Sequence, residues 1–392
     1  MNPRILHTAV QDYIRNNEKA DIHRLLLQES PFPGLSTKEL AEQIESRNKA
    51  RSKLPTWFSA TSIYYPNKRN LEQSSSEQAA AYKASLVDAG KVFDLTGGFG
   101  IDTYYFSKKA KEVIYWESDE QLAAIAAHNL KQLGAANVSC QHGDGIAWLK
   151  EKKPKADLIY IDPSRRSSER KRVFLLSDCQ PDVPGHLPFL FDSASMILVK
   201  TSPLLDLNAG LRELHYVKEI HIVAINNEVK EVLWLLERGF KADPIVHTVN
   251  LLRGGNQLFS FSLPQEKLIE RNFSEPLLFL YEPNAAIMKS GGFNSLGLHY
   301  NLPQLHVHSH LFTSDTDVEF PGRAFKVRRV LPFSRKNMKT LACERANITT
   351  RNFPISVAEI RKRSGIADGG PLYLFFTKTT GMGLIMIECE KN

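Results

Sequence analysis

The chain has 392 residues, a formal net charge of +7 and a hydrophobic content of 42%, values typical of a soluble globular protein with two or three domains. No apolar run approaches the roughly 20 residues needed to span a bilayer, and the first fifteen residues lack the continuous apolar core of a secretory signal. We therefore expect a cytoplasmic protein without a membrane partner.

Residues 1–72 predict an N-terminal helical region without chemistry of its own, because apolar residues such as Leu40 and Ile44 alternate with polar ones at helical spacing. Its connector carries Trp57, Phe58 and Tyr65, which could cover a cofactor or stack on a base, although core packing is the commoner fate of a tryptophan. An alanine-rich helix should follow, with Ser74 or Ser75 as its N-cap.

A glycine-rich turn follows the first predicted strand, which ends at Asp94. Gly97, Gly98 and Gly100 allow positive φ angles and close approach of a ligand to the backbone. A second strand begins at Lys111 and ends before Glu117, where a carboxylate can accept hydrogen bonds from both hydroxyls of a ribose. This pattern predicts a βαβ unit that binds a nucleotide-type cofactor.

Two acids flank this turn, Asp94 before it and Asp102 after it. Acids suit a cationic ligand better than the pyrophosphate of a dinucleotide such as NAD. S-adenosylmethionine carries a sulfonium and an ammonium group, so we favour it, with Asp94 near the amino-acid end and Glu117 on the ribose.

Four segments in order resemble the motifs of class I S-adenosylmethionine-dependent methyltransferases, over residues 73 to about 263. They are Asp94–Gly100, Glu117, Gly143–Gly145 and Asp162–Arg165. The resemblance implies an α/β fold with a Rossmann-like seven-stranded sheet, and RNA-modifying members often close over the cofactor with a segment like that at Gln73. The cofactor residues it implies are Gln73, Ser74, Asp94, Thr96, Gly97, Gly98, Gly100, Asp102, Glu117, Ser118, Asp144 and Gly145.

The predicted catalytic residues follow a buried strand that starts near Asp157, and they are Asp162, Pro163, Ser164 and Arg165. Relatives that methylate amino groups of bases carry Asp-Pro-Pro-Tyr or Asn-Pro-Pro-Tyr here, where carboxylate and carbonyl oxygens align a planar amine for in-line transfer. Because serine and arginine replace the second proline and the aromatic residue, a ring nitrogen, a different stacking residue or a non-base target stays open.

The loop after this segment is basic and contains Arg166 and Arg170. It is either a phosphate clamp beside the catalytic residues or an ordinary solvated loop. Strands are predicted at 195–200 and 219–225, a helix at 229–238 after a cap at Asn226 to Glu228, and an antiparallel edge strand at 258–263 that ends the sheet.

Metal ligands are not indicated by the spacing of cysteines and histidines. The four cysteines include no Cys-x-x-Cys pair, and His306, His308 and His310 alternate as on one face of an ordinary strand. We therefore expect no metal requirement.

Positive charge is concentrated at the C-terminus, where residues 322–392 contain fourteen Lys and Arg against five Asp and Glu. A basic module of this kind favours an anionic polymer, most simply RNA, although cationic surfaces also aid solubility. The residues expected near phosphate are Arg351, Arg361, Lys362 and Arg363, with a solvated helix face as the rival interpretation.

The C-terminal sequence also resembles two small modules found with bacterial methyltransferase domains. A helix at 356–363, the glycine turn at Asp368-Gly369-Gly370 and two following strands resemble a THUMP-like module, and residues from Leu277 resemble the ferredoxin-like domain that precedes it. THUMP domains help to hold transfer RNA. We predict a helical region (1–72), a methyltransferase domain (73–264), a ferredoxin-like domain (275–320) and a THUMP-like domain (321–392).

These observations together predict a methyltransferase that uses S-adenosylmethionine and acts on a nucleotide of structured RNA, tRNA or rRNA. The alternatives are an RNA-binding protein that keeps the cofactor fold without catalysis, and a methyltransferase of a protein or small molecule.

Overall fold

A computed structural model describes residues 1–165, 175–341 and 343–391. The chain divides into two units, residues 1–218 with 233–241 and residues 219–232 with 242–392. No helix in the described part is long and apolar enough to cross a membrane.

The N-terminal region is helical, as predicted. After a 3₁₀ helix at Pro3–Leu6 come α1 (Thr8–Asn16), α2 (Ile22–Leu26), α3 (Thr37–Lys53), α4 (Pro55–Ser59) and α5 (Lys68–Gln73). A capping box formed by Ser36 and Glu39 starts α3. Trp57 is fully buried and its ring meets that of Tyr104 edge to face, so this tryptophan belongs to the core.

Strands and helices then alternate along the first unit. They are α6 (Glu77–Ser85), β1 (Lys91–Asp94), α7 (Ile101–Ser107), β2 (Glu112–Glu117), α8 (Glu120–Gln132), β3 (Val138–His142), α9 (Gly145–Lys152), β4 (Ala156–Ile161), β5 (Ser164–Arg165), β6 (Cys179–Gln180), α10 (Val183–Ser193), β7 (Ala194–Thr201) and α11 (Leu207–Glu213). The order β7-β4-β1-β2-β3, parallel throughout, is the doubly wound α/β arrangement that the sequence predicts. The N-cap of α6 is Ser76, whose hydroxyl accepts from Ala79, so the prediction of Ser74 or Ser75 was wrong by one or two residues.

The predicted helix at 229–238 is instead a strand. β8 (Val217–Ile225) and β9 (Glu228–Glu237) are joined by Asn226 and Asn227, whose φ angles are 49° and 64°. Left-handed asparagines at both positions make a tight hairpin turn, so this segment does not cap a helix. The apolar run of β9 is buried on both faces, and such a run does not distinguish a strand from a buried helix by its periodicity.

Within the second unit β8 is followed in space by β10 (Ile245–Leu251), a strand the sequence analysis missed, and by β11 (Gln257–Ser262). β10 runs parallel to β8 and antiparallel to β11, which confirms the antiparallel strand expected at 258–263. In the described residues the large sheet therefore has nine strands, two more than the seven expected.

A second sheet of the described residues has the order β13-β12-β14-β17-β16-β15. The elements in chain order are α12 (Leu263–Leu268), β12 (Phe279–Pro283), α13 (Ala285–Ser290), α14 (Phe293–Tyr300), β13 (Phe312–Ser314), β14 (Gly322–Pro332), α15 (Arg335–Met338), β15 (Asn347–Arg351), α16 (Val357–Ser364), β16 (Leu372–Lys378) and β17 (Leu384–Lys391). The strand expected for His306, His308 and His310 does not form: His308 lies in a turn before β13, and His306 and His310 belong to no helix or strand.

Candidate active site at the carboxyl edge of the parallel strands

The glycine-rich turn lies between β1 and α7. Gly98 and Gly100 have φ angles of 55° and 83°, which only glycine adopts readily, and a Cβ at Gly97 would lie 2.0 Å from the Tyr115 ring. The Gly97 N–H donates to the Trp116 carbonyl at 2.8 Å, which holds the turn against the end of β2. The turn therefore needs glycine at all three positions.

Glu117 stands at the end of β2, directly beside this turn. Its Oε2 accepts from the Gly98 N–H at 2.9 Å, and its Oε1 accepts from the Asp119 N–H at 2.8 Å. Its Oε1 also accepts from the Ser118 hydroxyl at 3.1 Å. A carboxylate has about four lone-pair sites, so these three bonds orient Glu117 and leave some capacity for hydroxyl donors. This is the position that the sequence assigns to the ribose.

Asp94 is fully buried beneath the turn. It accepts hydrogen bonds from the Thr103 hydroxyl at 2.6 Å and from the Thr96 N–H at 3.1 Å. Burial raises the pKa of Asp94 to about 7, although the bond from Thr103 opposes the shift. The Asp94 carboxylate therefore holds the loop to α7, and its place near the amino-acid end of a cofactor stays a prediction.

Asp102, on the first turn of α7, belongs to a second buried polar cluster. Its Oδ2 accepts from the hydroxyls of Ser75 and Tyr160, each at 2.8 Å, and its Oδ1 lies 3.0 Å from the Nζ of the buried Lys83. Burial opposes its charge, but Lys83 and then Lys200 hold the pKa of Asp102 below its ordinary value. The Asp102 carboxylate is therefore engaged with protein groups, and its contact with a cofactor stays a prediction.

Asp162 follows β4 and touches both the glycine-rich turn and β7. Its N–H donates to the Thr96 Oγ1 at 2.7 Å, and its carboxylate forms an ion pair with Lys200 at the end of β7. The Asp162 side chain is 34% exposed, whereas that of Lys200 is 13% exposed. The predicted catalytic residue Asp162 is therefore adjacent to the predicted cofactor loop. Its side chain is partly exposed and is held by Lys200.

Pro163 follows Asp162, and Ser164 and Arg165 form the short strand β5, which pairs antiparallel with β6. Cys179 lies opposite Arg165 in this pairing. The two expected phosphate contacts Arg166 and Arg170 lie outside the described residues.

The remaining predicted cofactor residues lie outside the glycine-rich turn. Gln73 is exposed at the end of α5, the Ser74 hydroxyl bonds back to the Leu71 carbonyl, and Ser118 is exposed next to Glu117. Asp144 is exposed and caps α9 by accepting from the Ile146 N–H at 2.8 Å. Gly145 lies close under Trp116 and Leu95, where a Cβ would be 3.1 Å from each.

The sequence analysis did not assign Lys83 or Lys200 to this region, and it named Ser75 only as a candidate N-cap. Lys200 carried a usable signal, because it sits at the carboxyl end of a predicted parallel strand, where such sheets place their ligands. Lys83 lies on a helix that precedes β1, and the sequence gives no sign that its side chain is buried beside Asp102.

The four predicted RNA residues of the C-terminal module, one on β15 and three on α16, differ from one another in what they contact. Arg351 pairs with the buried Glu282 at 2.8 Å, and Arg361 donates to the carbonyls of Ile366 and Ala346. Lys362 is exposed, and Arg363 is exposed with its guanidinium on Glu359. Their proposed contact with RNA stays a prediction.

Two family models match the chain: that of a ferredoxin-like domain at residues 279–321, and that of a THUMP domain-like module at 322–391. They fall where the sequence analysis proposes such modules. None of the curated proteins matches the chain.

Among solved structures, the "putative methyltransferase from Porphyromonas gingivalis W83" is 34% identical over 100% of this chain and 98% of that chain, with a TM-score of 0.89. The O-methyltransferase from Bacillus cereus in complex with SAH is 12% identical over 59% of this chain and 98% of that one, with a TM-score of 0.35. An rRNA methylase from Streptococcus thermophilus is 16% identical over 41% and 94%, with a TM-score of 0.30, and likeness at these two levels says nothing about function. The full-length similarity to the Porphyromonas protein, together with the two C-terminal modules, shows that this chain belongs to the class I methyltransferase family with ferredoxin-like and THUMP-like domains.

Proposed function

We propose that this protein is an S-adenosylmethionine-dependent methyltransferase that acts on a nucleotide of structured RNA, tRNA or rRNA. The observation that carries the proposal is the 2.7 Å hydrogen bond from the Asp162 N–H to the Thr96 Oγ1. It joins the loop suited to a cofactor to the segment suited to an acceptor, as methyl transfer between two bound molecules requires.

The residues around the turn fit S-adenosylmethionine in their chemistry. Glu117 offers an oriented carboxylate for the ribose, and at Gly98 a side chain would project into space where the nearest atom is 3.9 Å away. Lys83 and Lys200 pair with Asp102 and Asp162, so the acids left to suit a sulfonium and an ammonium group are Asp94, whose pKa is about 7, and Glu117. When bound, the cofactor supplies an electrophilic methyl group on sulfur.

On the acceptor side, the Asp162 carboxylate is placed to accept a hydrogen bond from an amine and so direct the nitrogen lone pair. Lys200 holds one carboxylate oxygen, Oδ2, which fixes the direction of the other. Positioning of this kind accounts for much of the rate of a group transfer between bound partners, and little acid–base strength is needed.

RNA is favoured as the acceptor because of the basic C-terminal sheet and its THUMP domain-like match. Arg335, Lys336 and Lys339, on and next to α15, and Lys362 on α16 are all exposed. Contacts of such side chains with phosphates add affinity without sequence selection, which leaves the choice of nucleotide to the active site.

The test is transfer of radiolabelled methyl groups to bulk RNA taken from cells that lack the protein. We expect incorporation that ribonuclease removes, and a loss of at least about 100-fold in Asp162→Ala with cofactor binding within a few-fold. Asp192→Ala, an exposed aspartate in the same unit, serves as the matched control.

Each alternative gives a different result in this assay. An RNA-binding protein without catalysis gives no incorporation with any substrate, and a methyltransferase of a protein or small molecule gives incorporation that survives ribonuclease. Unchanged turnover in Asp162→Ala would contradict the proposal that the segment 162–165 positions the acceptor.

A further inference from the structure

Two histidines and a glutamate lie together on one face of the paired strands β8 and β10, in the second unit. The possible ligand atoms of Glu219, His221 and His247 all lie within 4.8 Å of one another. The His221 Nε2 is 3.0 Å from the Glu219 Oε2, and the His247 Nε2 is 3.9 Å from the same oxygen. One carboxylate oxygen is therefore faced by two imidazole nitrogens.

The pairing of the strands produces this arrangement. β8 and β10 are parallel neighbours in which His247 is directly opposite His221, and Glu219 precedes His221 by two residues on the same face. The two imidazole rings stack with centroids 4.6 Å apart and planes 18° apart. Because the backbone ladder sets the spacing, the three side chains are held near one another before any ligand binds.

A second contact orients one of the rings. The Nδ1 of His247 is 2.7 Å from the Ser260 Oγ, and Ser260 is the cross-strand partner of His247 on β11. An imidazole whose one nitrogen is hydrogen-bonded presents the other in a fixed direction, which is the usual support for a histidine that binds a metal. Here Nδ1 is the hydrogen-bonded nitrogen, and Nε2 is the nitrogen that faces Glu219.

We propose that Glu219, His221 and His247 form a binding site for a divalent transition-metal ion, with Zn²⁺ as the preferred ion. Two imidazoles and one carboxylate are a common three-ligand zinc set, and a water molecule completes the tetrahedron. Ligand atoms in such a site are about 3.3 Å apart, given metal–ligand distances of about 2.0–2.1 Å, so small side-chain rotations from the observed separations suffice.

The site is exposed enough for a metal ion to enter, and buried enough to discriminate between metal ions. The His221 side chain is 5% exposed, whereas those of Glu219 and His247 are 26% and 29% exposed. A partly exposed carboxylate gives an ion an entry path, while the buried imidazole favours a borderline-soft metal over Mg²⁺ or Ca²⁺, which prefer oxygen ligands.

The test is titration of the full-length, chelator-treated protein with Co²⁺, followed by visible absorption, and then displacement of Co²⁺ by Zn²⁺. We expect one equivalent of Co²⁺ with the intense bands of tetrahedral coordination, and complete displacement by Zn²⁺. Glu219→Gln, His221→Gln and His247→Gln should each weaken binding by at least tenfold, and Ser260→Ala by about tenfold through the ring it orients.

His308→Gln, an exposed histidine elsewhere in the second unit, is the matched control and should bind as the wild type does. Circular dichroism of each variant before metal addition separates loss of a ligand from loss of the fold, and Ser260→Ala alters only an exposed side chain. The proposal is overturned if the wild type binds no stoichiometric metal, or if binding survives in both Glu219→Gln and His247→Gln.

Discussion

Charged side chains have different surroundings in two regions of the molecule, the carboxyl edge of β1, β4 and β7 and the C-terminal sheet. At the edge, three aspartates converge, and Lys83 and Lys200 hold two of them. In the C-terminal sheet, basic residues are in excess, yet Arg323, Arg328, Arg329 and Arg351 pair with glutamates of the same sheet. Because strand ends meet at one edge of a sheet, residues from distant segments come together there. The net charge of the C-terminal module, in contrast, does not tell which of its side chains face solvent.

Among the variants that test this comparison, Lys200→Met is expected to have the largest effect on methyl transfer. Removal of the ammonium frees the Asp162 carboxylate to rotate, so methyl transfer should fall about 10- to 100-fold, because a small misplacement of a positioning group is that costly. Initial rates with radiolabelled cofactor measure it, and affinity for S-adenosylhomocysteine should stay within a few-fold. Lys155→Met, an exposed lysine of the same unit, is the control, and equal rates in the two variants would contradict the role of Lys200.

The second largest effect is expected for the exposed cations on and next to α15, which should contribute to RNA binding. Replacement of Arg335, Lys336 and Lys339 together by glutamine removes three contacts with phosphate, so the slope of log affinity against log salt should decrease by about 2. Fluorescence anisotropy with structured RNA at several salt concentrations gives this negative slope, whose magnitude is the quantity that decreases. A triple glutamine variant of Lys150, Lys152 and Lys153 matches the charge change. An equal decrease there would mean that net charge alone controls binding.

Arg351 tests whether the paired cations of the same sheet are structural. Glu282 is 5% exposed and accepts from both Arg351 and Arg323, so Arg351→Met leaves a buried carboxylate with one partner. We expect the free energy of unfolding to fall by about 1–3 kcal/mol. Arg363→Met, which breaks the exposed pair with Glu359, should change it by less than about 0.5 kcal/mol. Urea unfolding compares the two variants, and equal destabilisation would erase the distinction between paired and exposed cations.

The last prediction is a pH dependence of stability at the edge. Since the folded-state pKa of Asp94 is about 7 and the unfolded value is near 4, the native state binds the extra proton between these values. The stability that Asp94 contributes is therefore complete below about pH 4, falls as the pH rises to about 7 and is constant above it. Urea unfolding of Asp94→Asn, compared with the wild type at several pH values, should show this difference. A difference that does not change with pH would contradict the raised pKa.

Much of the edge could be predicted from the sequence, because its residues follow strand ends and their order along the chain fixes their order in the sheet. Asp94, the three glycines, Glu117 and Asp162 lie where the motifs place them. The segment 228–237 could not be predicted as a strand, because a run buried on both faces has no diagnostic period.

Contacts set by strand register were also beyond the sequence. Glu219 and His221 are separated from His247 by more than twenty residues, and only the pairing of β8 with the unpredicted β10 brings them together. In the same way, the side chain of Lys83 gave no sign of its pairing with Asp102. Individual arginines of the C-terminal sheet could be counted but not assigned to pairs or to solvent.

The central claim is that the turn beside Glu117 binds S-adenosylmethionine, and calorimetric titration with S-adenosylhomocysteine tests it without knowledge of the acceptor. We predict micromolar binding to the wild type and to Glu112→Ala, a control at the exposed start of β2. Binding to Glu117→Ala should be about 100-fold weaker, because two hydrogen bonds to a carboxylate are lost at about 1.5 kcal/mol each. Absence of binding to the wild type, or equal binding to Glu117→Ala, would contradict the claim.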